Sequence, residues 1–254
     1  QEEDKVLRLT LNRAERRNSL TPETLFELRE IGEMVNGRSD IWAVVVAAAG
    51  DHFSVGFDVS VIGQMIGQER EPYENNLREL QQCLDAFEAL QKPTVAKIQG
   101  GYCLGGGLLL ALCCDFQVVS ETAVFGLPEV KRSIAVVMGT QRLTRLAGIN
   151  ATKEMILLAD TFSAAQAMQY GLFERTTPDA EVETTVSTLT DKLVKLPPKA
   201  VNVAKQIINE GATLSLRDSQ ELEIERQFGL LKTADFQEAI ASFFEKRPPQ
   251  YKNQ

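Results

Sequence analysis

The chain has 254 residues, 44% hydrophobic and 24% charged, enough apolar material for one globular unit with a large core. Its formal net charge of −8 excludes nucleic acid as a natural partner and requires any anionic ligand to find local positive potential. No apolar run approaches the ~18 residues of a membrane span, and one histidine, His52, without a Cys-x-x-Cys pair leaves no metal site.

Val6–Leu11 alternates and predicts a strand. Thr21 followed by Pro22 reads as a helix cap and first turn, and Leu25, Leu28, Ile31, Met34 and Val35 continue a helical stripe to about Asn36. Residues 42–48 form a near-continuous apolar run, the pattern of a strand buried on both faces. A loop is expected over 53–58 and a helix over 74–91, stopped by Pro93. Strands are predicted at Thr94–Ile98, 115–120 and 124–125. Beyond Thr140 the pattern is mainly helical, over 140–147, 151–159, 163–170, 180–196, 199–210, 216–231 and 233–246, with a short strand at 171–175. The division is therefore an α/β core over residues 1–196 and a helical C-terminal region over 197–254. Leu214, Leu216, Phe228, Leu230, Phe243 and Phe244 give that last region apolar surface suited to a partner subunit. No clean sequence repeat is visible.

Residues 98–115 read Ile-Gln-Gly-Gly-Tyr-Cys-Leu-Gly-Gly-Gly-Leu-Leu-Leu-Ala-Leu-Cys-Cys-Asp, a strand running into a glycine turn and then a helix. Such a turn frees backbone N–H groups at a helix start, where a phosphate or a transient oxyanion is favoured. No Lys-Ser/Thr pair follows, so this is not a nucleotide P-loop, and the glycine spacing is not the dinucleotide fingerprint. Close packing of helix on sheet accounts for the glycines equally well. Cys83, Cys103, Cys113 and Cys114 sit in apolar context and read as buried thiols of a reducing compartment, the cytoplasm by default. A chain opening on Gln1 leaves a removed targeting segment open, and with it a mitochondrion or peroxisome. His52 reads as a surface loop residue.

Two further segments add specificity: His-Phe-Ser-Val-Gly-Phe-Asp at 52–58 and Ala-Val-Phe-Gly-Leu-Pro-Glu-Val-Lys at 123–131. With the glycine turn, they resemble the crotonase superfamily of enoyl-CoA hydratases and isomerases. Asn-Arg-Ala-Glu-Arg-Arg-Asn-Ser-Leu at 12–20, Gly-Thr-Gln-Arg-Leu at 139–143 and Phe-Glu-Lys-Arg at 244–247 match further family patterns, so the resemblance runs from about Val6 to Tyr251. It implies a crotonase (ClpP/crotonase-like) α/β fold, with a repeated ββα spiral core and helices that assemble a homotrimer or a dimer of trimers. The implied substrate is an acyl-CoA, with coenzyme A as part of the substrate and no separate cofactor.

Position by position, the resemblance implies that the N–H groups of Phe57 and Gly106 form an oxyanion hole for the thioester carbonyl. Val55, Gly56, Gly105, Leu127 and Val136 would line the substrate site, and Glu129 would be a catalytic carboxylate. Hydratases of the family place a second glutamate where this chain has Leu109, three residues after Gly106 and so on the same helix face. A leucine neither activates water nor delivers a proton, whereas a 1,3 proton shift needs one carboxylate. Double-bond isomerisation with Glu129 as shuttle is therefore the expected reaction. A hydratase with a changed acid/base set, another crotonase chemistry (decarboxylation, dehalogenation or thioester hydrolysis) and a non-catalytic acyl-CoA-binding homologue are the alternatives. Residues 133–139, Ser-Ile-Ala-Val-Val-Met-Gly, replace a glycine-rich family loop and are one residue shorter. That apolar loop predicts a drier pocket and a raised Glu129 pKa. Arg13, Arg16, Arg17 and Lys246 are the cations expected near coenzyme A, and Asp58 is expected to order its own loop.

Overall fold

The computed structural model describes residues 2–254. Its strands are β1 (Glu2–Glu3), β2 (Val6–Leu11), β3 (Ala43–Ala48), β4 (Thr94–Ile98), β5 (Tyr102–Leu104), β6 (Phe116–Ser120), β7 (Val124–Gly126), β8 (Phe162–Ser163) and β9 (Thr176–Thr177). The helices are α1 (Pro22–Asn36), α2 (Val59–Gly63), α3 (Arg70–Glu88), α4 (Gly106–Leu112), α5 (Thr140–Lys153), α6 (Ala164–Gln169), α7 (Val182–Leu193), α8 (Pro198–Gly211), α9 (Leu216–Leu230) and α10 (Ala234–Glu245).

Strand β3, Ala-Val-Val-Val-Ala-Ala, is buried along nearly its whole length, as a strand covered on both faces must be. It lies within a sheet ordered β1-β2-β3-β4-β6-β9, in which β2 through β9 run parallel and β1 is antiparallel at the edge. On one face Ala43, Val45, Val95 and Val118 meet Val182, Val186 and Leu193 of α7. The other face joins the main core, to which α1, α3 and α4 contribute Leu25, Leu28, Leu80, Leu84, Phe87 and residues 108–112.

A second, smaller layer holds the site. Strand β5 pairs parallel with β7, and β7 antiparallel with β8. Isolated bridges extend this layer, Ser54 to Cys103 and Leu20 to Phe57. Each long strand of the first sheet is thus followed by a short extended piece in the second and then by a return. This is the ββα spiral. Its repeat lies in geometry rather than in residue identity, which is why the sequence displays none.

Three short elements depart from the sequence expectation. Strand β5 lies inside the glycine turn, β8 lies at the start of the helix expected over 163–170, and α2 lies between the loop expected over 53–58 and the helix expected over 74–91. All are too short to carry a period, and the strands exist because a neighbour supplies their hydrogen bonds. The strand expected at 171–175 forms later, as β9, pairing with Val119 and Ser120, while Leu172 and Phe173 turn into the core. Gly148, at φ +78, kinks α5, which continues as a π-turn over Glu154–Leu158. Helix α8 is fastened to the sheet by a buried lysine: Lys205 Nζ donates to Asp115 Oδ2 at 2.7 Å and to the Lys92 carbonyl at 3.2 Å.

Candidate active site

Two glycines allow the layers to approach. Gly56 has φ +92, and a Cβ there would lie 3.2 Å from the Gly106 nitrogen. Gly105, at φ +48 and ψ −127, occupies backbone space that L side chains rarely enter. A Cβ on Gly105 would fall 2.7 Å from Glu129 Oε1. The segments around 56, 105 and 129 therefore converge only because side chains are absent at the first two.

The convergence leaves two donors unused. The Leu20 N–H donates to the Gly56 carbonyl and the Asp58 N–H to the Leu20 carbonyl, both at 2.8 Å, so the bridge skips the Phe57 N–H. Gly106 opens α4, where a helix has no internal acceptor for its first N–H groups. Among the described residues neither N–H has an acceptor. The Phe57 ring packs close to Gly106, where a Cβ would lie 2.9 Å from Cδ2 and Cε2.

Supporting side chains hold these segments. Asn18, buried and at φ +53, donates from Nδ2 to the carbonyls of Ala49 and His52, each at 2.8 Å, and accepts from the Arg13 N–H. Asp58 caps α2 through Ser60, accepts from Ser19 Oγ at 3.0 Å and faces Arg13 at 3.5 Å. The Ser60 hydroxyl and N–H, then Ser19, hold its carboxyl down at about 2, so it orders its loop and stays ionised. His52 accepts the Tyr102 N–H at Nδ1, 3.1 Å, and stacks on the Tyr102 ring; it braces β5 rather than sitting idle in a surface loop.

These walls enclose a cavity of about 730 Å³. Val55, Gly56, Phe57, Gly105, Gly106, Leu109, Glu129, Arg16 and Arg17, all singled out from the sequence, line it. Leu127 and Val136 do not; both are buried in the core, and Ile134, Ala135, Val137 and Met138 face the cavity from that loop instead. Lys246 lies just beyond α10, outside this cavity. Arg13 is likewise absent from the wall, its guanidinium turned to the Ser19 carbonyl and Asp58. The sequence reading missed Ile62, Met65, Tyr73, Leu77 and Leu80. Tyr73, Leu77 and Leu80 share the i, i+4, i+7 face of α3, a stripe indistinguishable in sequence from ordinary core.

Glu129 follows Pro128 in a 3₁₀ turn spanning Pro128–Arg132. Its Oε2 is buried with no partner among the described residues. Burial raises its pKa above the usual carboxylate value, against smaller opposing effects from a backbone hydrogen bond and the Arg132 charge. Leu109, fully buried, lines the same cavity and rests on Gly139, where a Cβ would lie 2.2 Å from Leu109 Cδ2. The adjoining loop is pinned at Met138, at φ +69, whose carbonyl accepts from Arg142 Nη1 at 2.6 Å. Arg142 also pairs with Asp85 and Glu88 of α3. Cys103 is wholly buried, and burial pushes its thiol pKa well up.

Known proteins share this architecture. The family model for enoyl-CoA hydratase/isomerase matches residues 1–254. A short-chain-enoyl-CoA hydratase of Clostridium acetobutylicum is 32% identical over 249 residues, covering 97% of this chain and 94% of that protein. A crotonyl-CoA hydratase of Syntrophomonas wolfei is 31% identical over 250 residues, with coverage of 97% and 94%. The crystal structure of an enoyl-CoA hydratase from Bacillus anthracis superposes with a TM-score of 0.90 at 32% identity, covering 98% of this chain and 96% of that one. The chain belongs to the enoyl-CoA hydratase/isomerase family, and its fold is the crotonase fold.

Proposed function

We propose that this family member shifts the double bond of an enoyl-CoA between C3 and C2, with Glu129 carrying the proton. The thioester oxygen accepts hydrogen bonds from the Phe57 and Gly106 N–H groups. Glu129 removes a proton from C2, negative charge moves onto that oxygen as a dienolate, and the same carboxyl returns the proton at C4. The C3–C4 double bond becomes C2–C3, and no atom is gained or lost. Donors fixed before the charge develops need no reorganisation; one is typically worth ~3–4 kcal/mol.

One observation carries this reading. Among the described residues the cavity wall holds two carboxylates, Asp58 and Glu129, and Asp58 is fully engaged by Ser19, Ser60 and Arg13. A proton shift needs one free carboxylate; hydration needs a second group near Glu129, where Leu109 stands. The names of the relatives favour the other reading, an enoyl-CoA hydratase in which Glu129 serves both steps. Assay with 3-enoyl-CoA and 2-enoyl-CoA of equal length decides between them: isomerisation faster than hydration is expected, and the reverse would overturn the proposal. A saturated acyl-CoA in heavy water should exchange its α-protons, and lack of exchange would leave only a binding role.

The same reading extends to assembly and location. Exposed Phe228, Ile240, Phe243 and Phe244 on α9 and α10 support self-association, as a trimer or a dimer of trimers. Four free, buried cysteines support a reducing compartment.

A further inference from the structure

We infer that Arg132 selects acyl-CoA substrates bearing a second carboxylate at the far end of a short acyl chain. The inference rests on the reading above, that the cavity receives the acyl group beside Glu129. In a 3₁₀ turn residues three apart are eclipsed, so Glu129 and Arg132 project from one side of Pro128–Arg132, separated along the axis by about 6 Å. Both line the cavity. Lys131 between them turns away and pairs with Asp160 at 3.2 Å. Among the described residues Arg132 makes no hydrogen bond or ion pair, and the carboxylate its charge acts on is Glu129 of the same turn, whereas Arg13 and Arg142 are each held by carboxylates. The wall that continues from it is apolar, through Ile134, Val137 and Met138. A guanidinium that no protein group among the described residues holds on such a wall is matched by a carboxylate, which it can grip with two parallel hydrogen bonds.

Arg16 and Arg17 stand on a different wall. The Val55 N–H donates to the Arg17 carbonyl at 3.2 Å, which ties those arginines to the 55–58 segment rather than to the Glu129 turn. Phosphates of coenzyme A and a carboxylate on the acyl chain thus have separate cations. With Glu129 working at C2 and C4, a carboxylate one or two carbons further along comes within reach of the long Arg132 side chain.

The test compares hex-3-enoyl-CoA with the mono-CoA thioester of hex-3-enedioic acid on the full chain. The wild type should favour the carboxylated substrate by about tenfold or more in kcat/KM, as a charged hydrogen bond allows. Arg132→Gln should collapse that ratio, chiefly through KM, and Arg132→Lys should restore part of it. The preference should also shrink as salt rises, because the side chain is exposed. Equal loss on both substrates would assign Arg132 to coenzyme A and overturn the inference, as would a wild type without preference. Calorimetric binding of the saturated adipoyl-CoA and hexanoyl-CoA separates this from the isomerase reading. Arg132-dependent preference for adipoyl-CoA without isomerisation would sink that reading and keep this one.

Discussion

Glu129 sets solvation against chemistry. Its unpartnered, buried Oε2 makes the carboxylate a stronger base and, by the same cause, an uncomfortable charge. Glu129→Gln should cut α-proton exchange by ~10²–10⁴-fold, the usual range for one acid/base group. Because the pKa is raised, kcat/KM should fall as pH drops through a value above the ordinary 4.5, when the base becomes protonated. Stability runs the opposite way. The folded state binds this proton more tightly than the unfolded chain, so the stability it contributes is complete below 4.5 and lost as pH rises through the folded value. Thermal unfolding at neutral pH should therefore find Glu129→Gln more stable than wild type, with the advantage vanishing in acid. Leu109→Glu should raise hydration relative to isomerisation and lower the melting temperature, since the new carboxyl enters a fully buried position. Of these residues, Glu129 was legible from its motif, and so was the departure at Leu109. The orphaned oxygen was not, because solvent exclusion at one atom depends on walls drawn from five separate segments.

The junction of β5 and α4 works because its glycines do different things. A methyl group on Gly107 would meet Ser54 Cβ at 2.5 Å and the Ser54 carbonyl oxygen at 2.8 Å, with no flexible side chain to yield. Gly107→Ala should destabilise the protein by ~1–3 kcal/mol in denaturant titration. A methyl on Gly105 would instead strike the Glu129 carboxyl and force a strained backbone, so Gly105→Ala should abolish exchange and cost ~1–3 kcal/mol besides. An unfolding midpoint unchanged in Gly107→Ala, or full activity in Gly105→Ala, would contradict this division. Long elements were readable along the chain: β3 as a near-continuous apolar run, α1 from its Thr21-Pro22 cap and apolar period, and α3 from its apolar period. Strands β5 and β8 were not, since two or three residues carry no period and their pairing is supplied by β7.

Across the molecule, helices α8 to α10 combine one tight anchor with much unsatisfied apolar surface. The anchor is Lys205 on Asp115, itself an acceptor for the Thr94 N–H and hydroxyl. Beyond it, α9 buries no residue, and Phe243 and Phe244 stand more than three-quarters exposed. Sedimentation should give the mass of several chains, and the double variant Phe243→Glu/Phe244→Glu should move it toward one chain. A single-chain mass for the wild type would contradict the expected assembly.

Local chemistry, written in order along the chain, determined the strand and helix types, the glycine turn, the family motifs and the missing second carboxylate. Those features depend on neighbours in sequence: apolar period, glycine freedom, and the identity of one residue at a fixed step from another. Tertiary structure alone decided which walls meet around Glu129, that Leu127 and Val136 face the core, and that Arg132 reaches the cavity with no hydrogen bond or ion pair among the described residues. Burial and pairing are properties of surfaces brought together from distant segments, and no spacing along the chain encodes them.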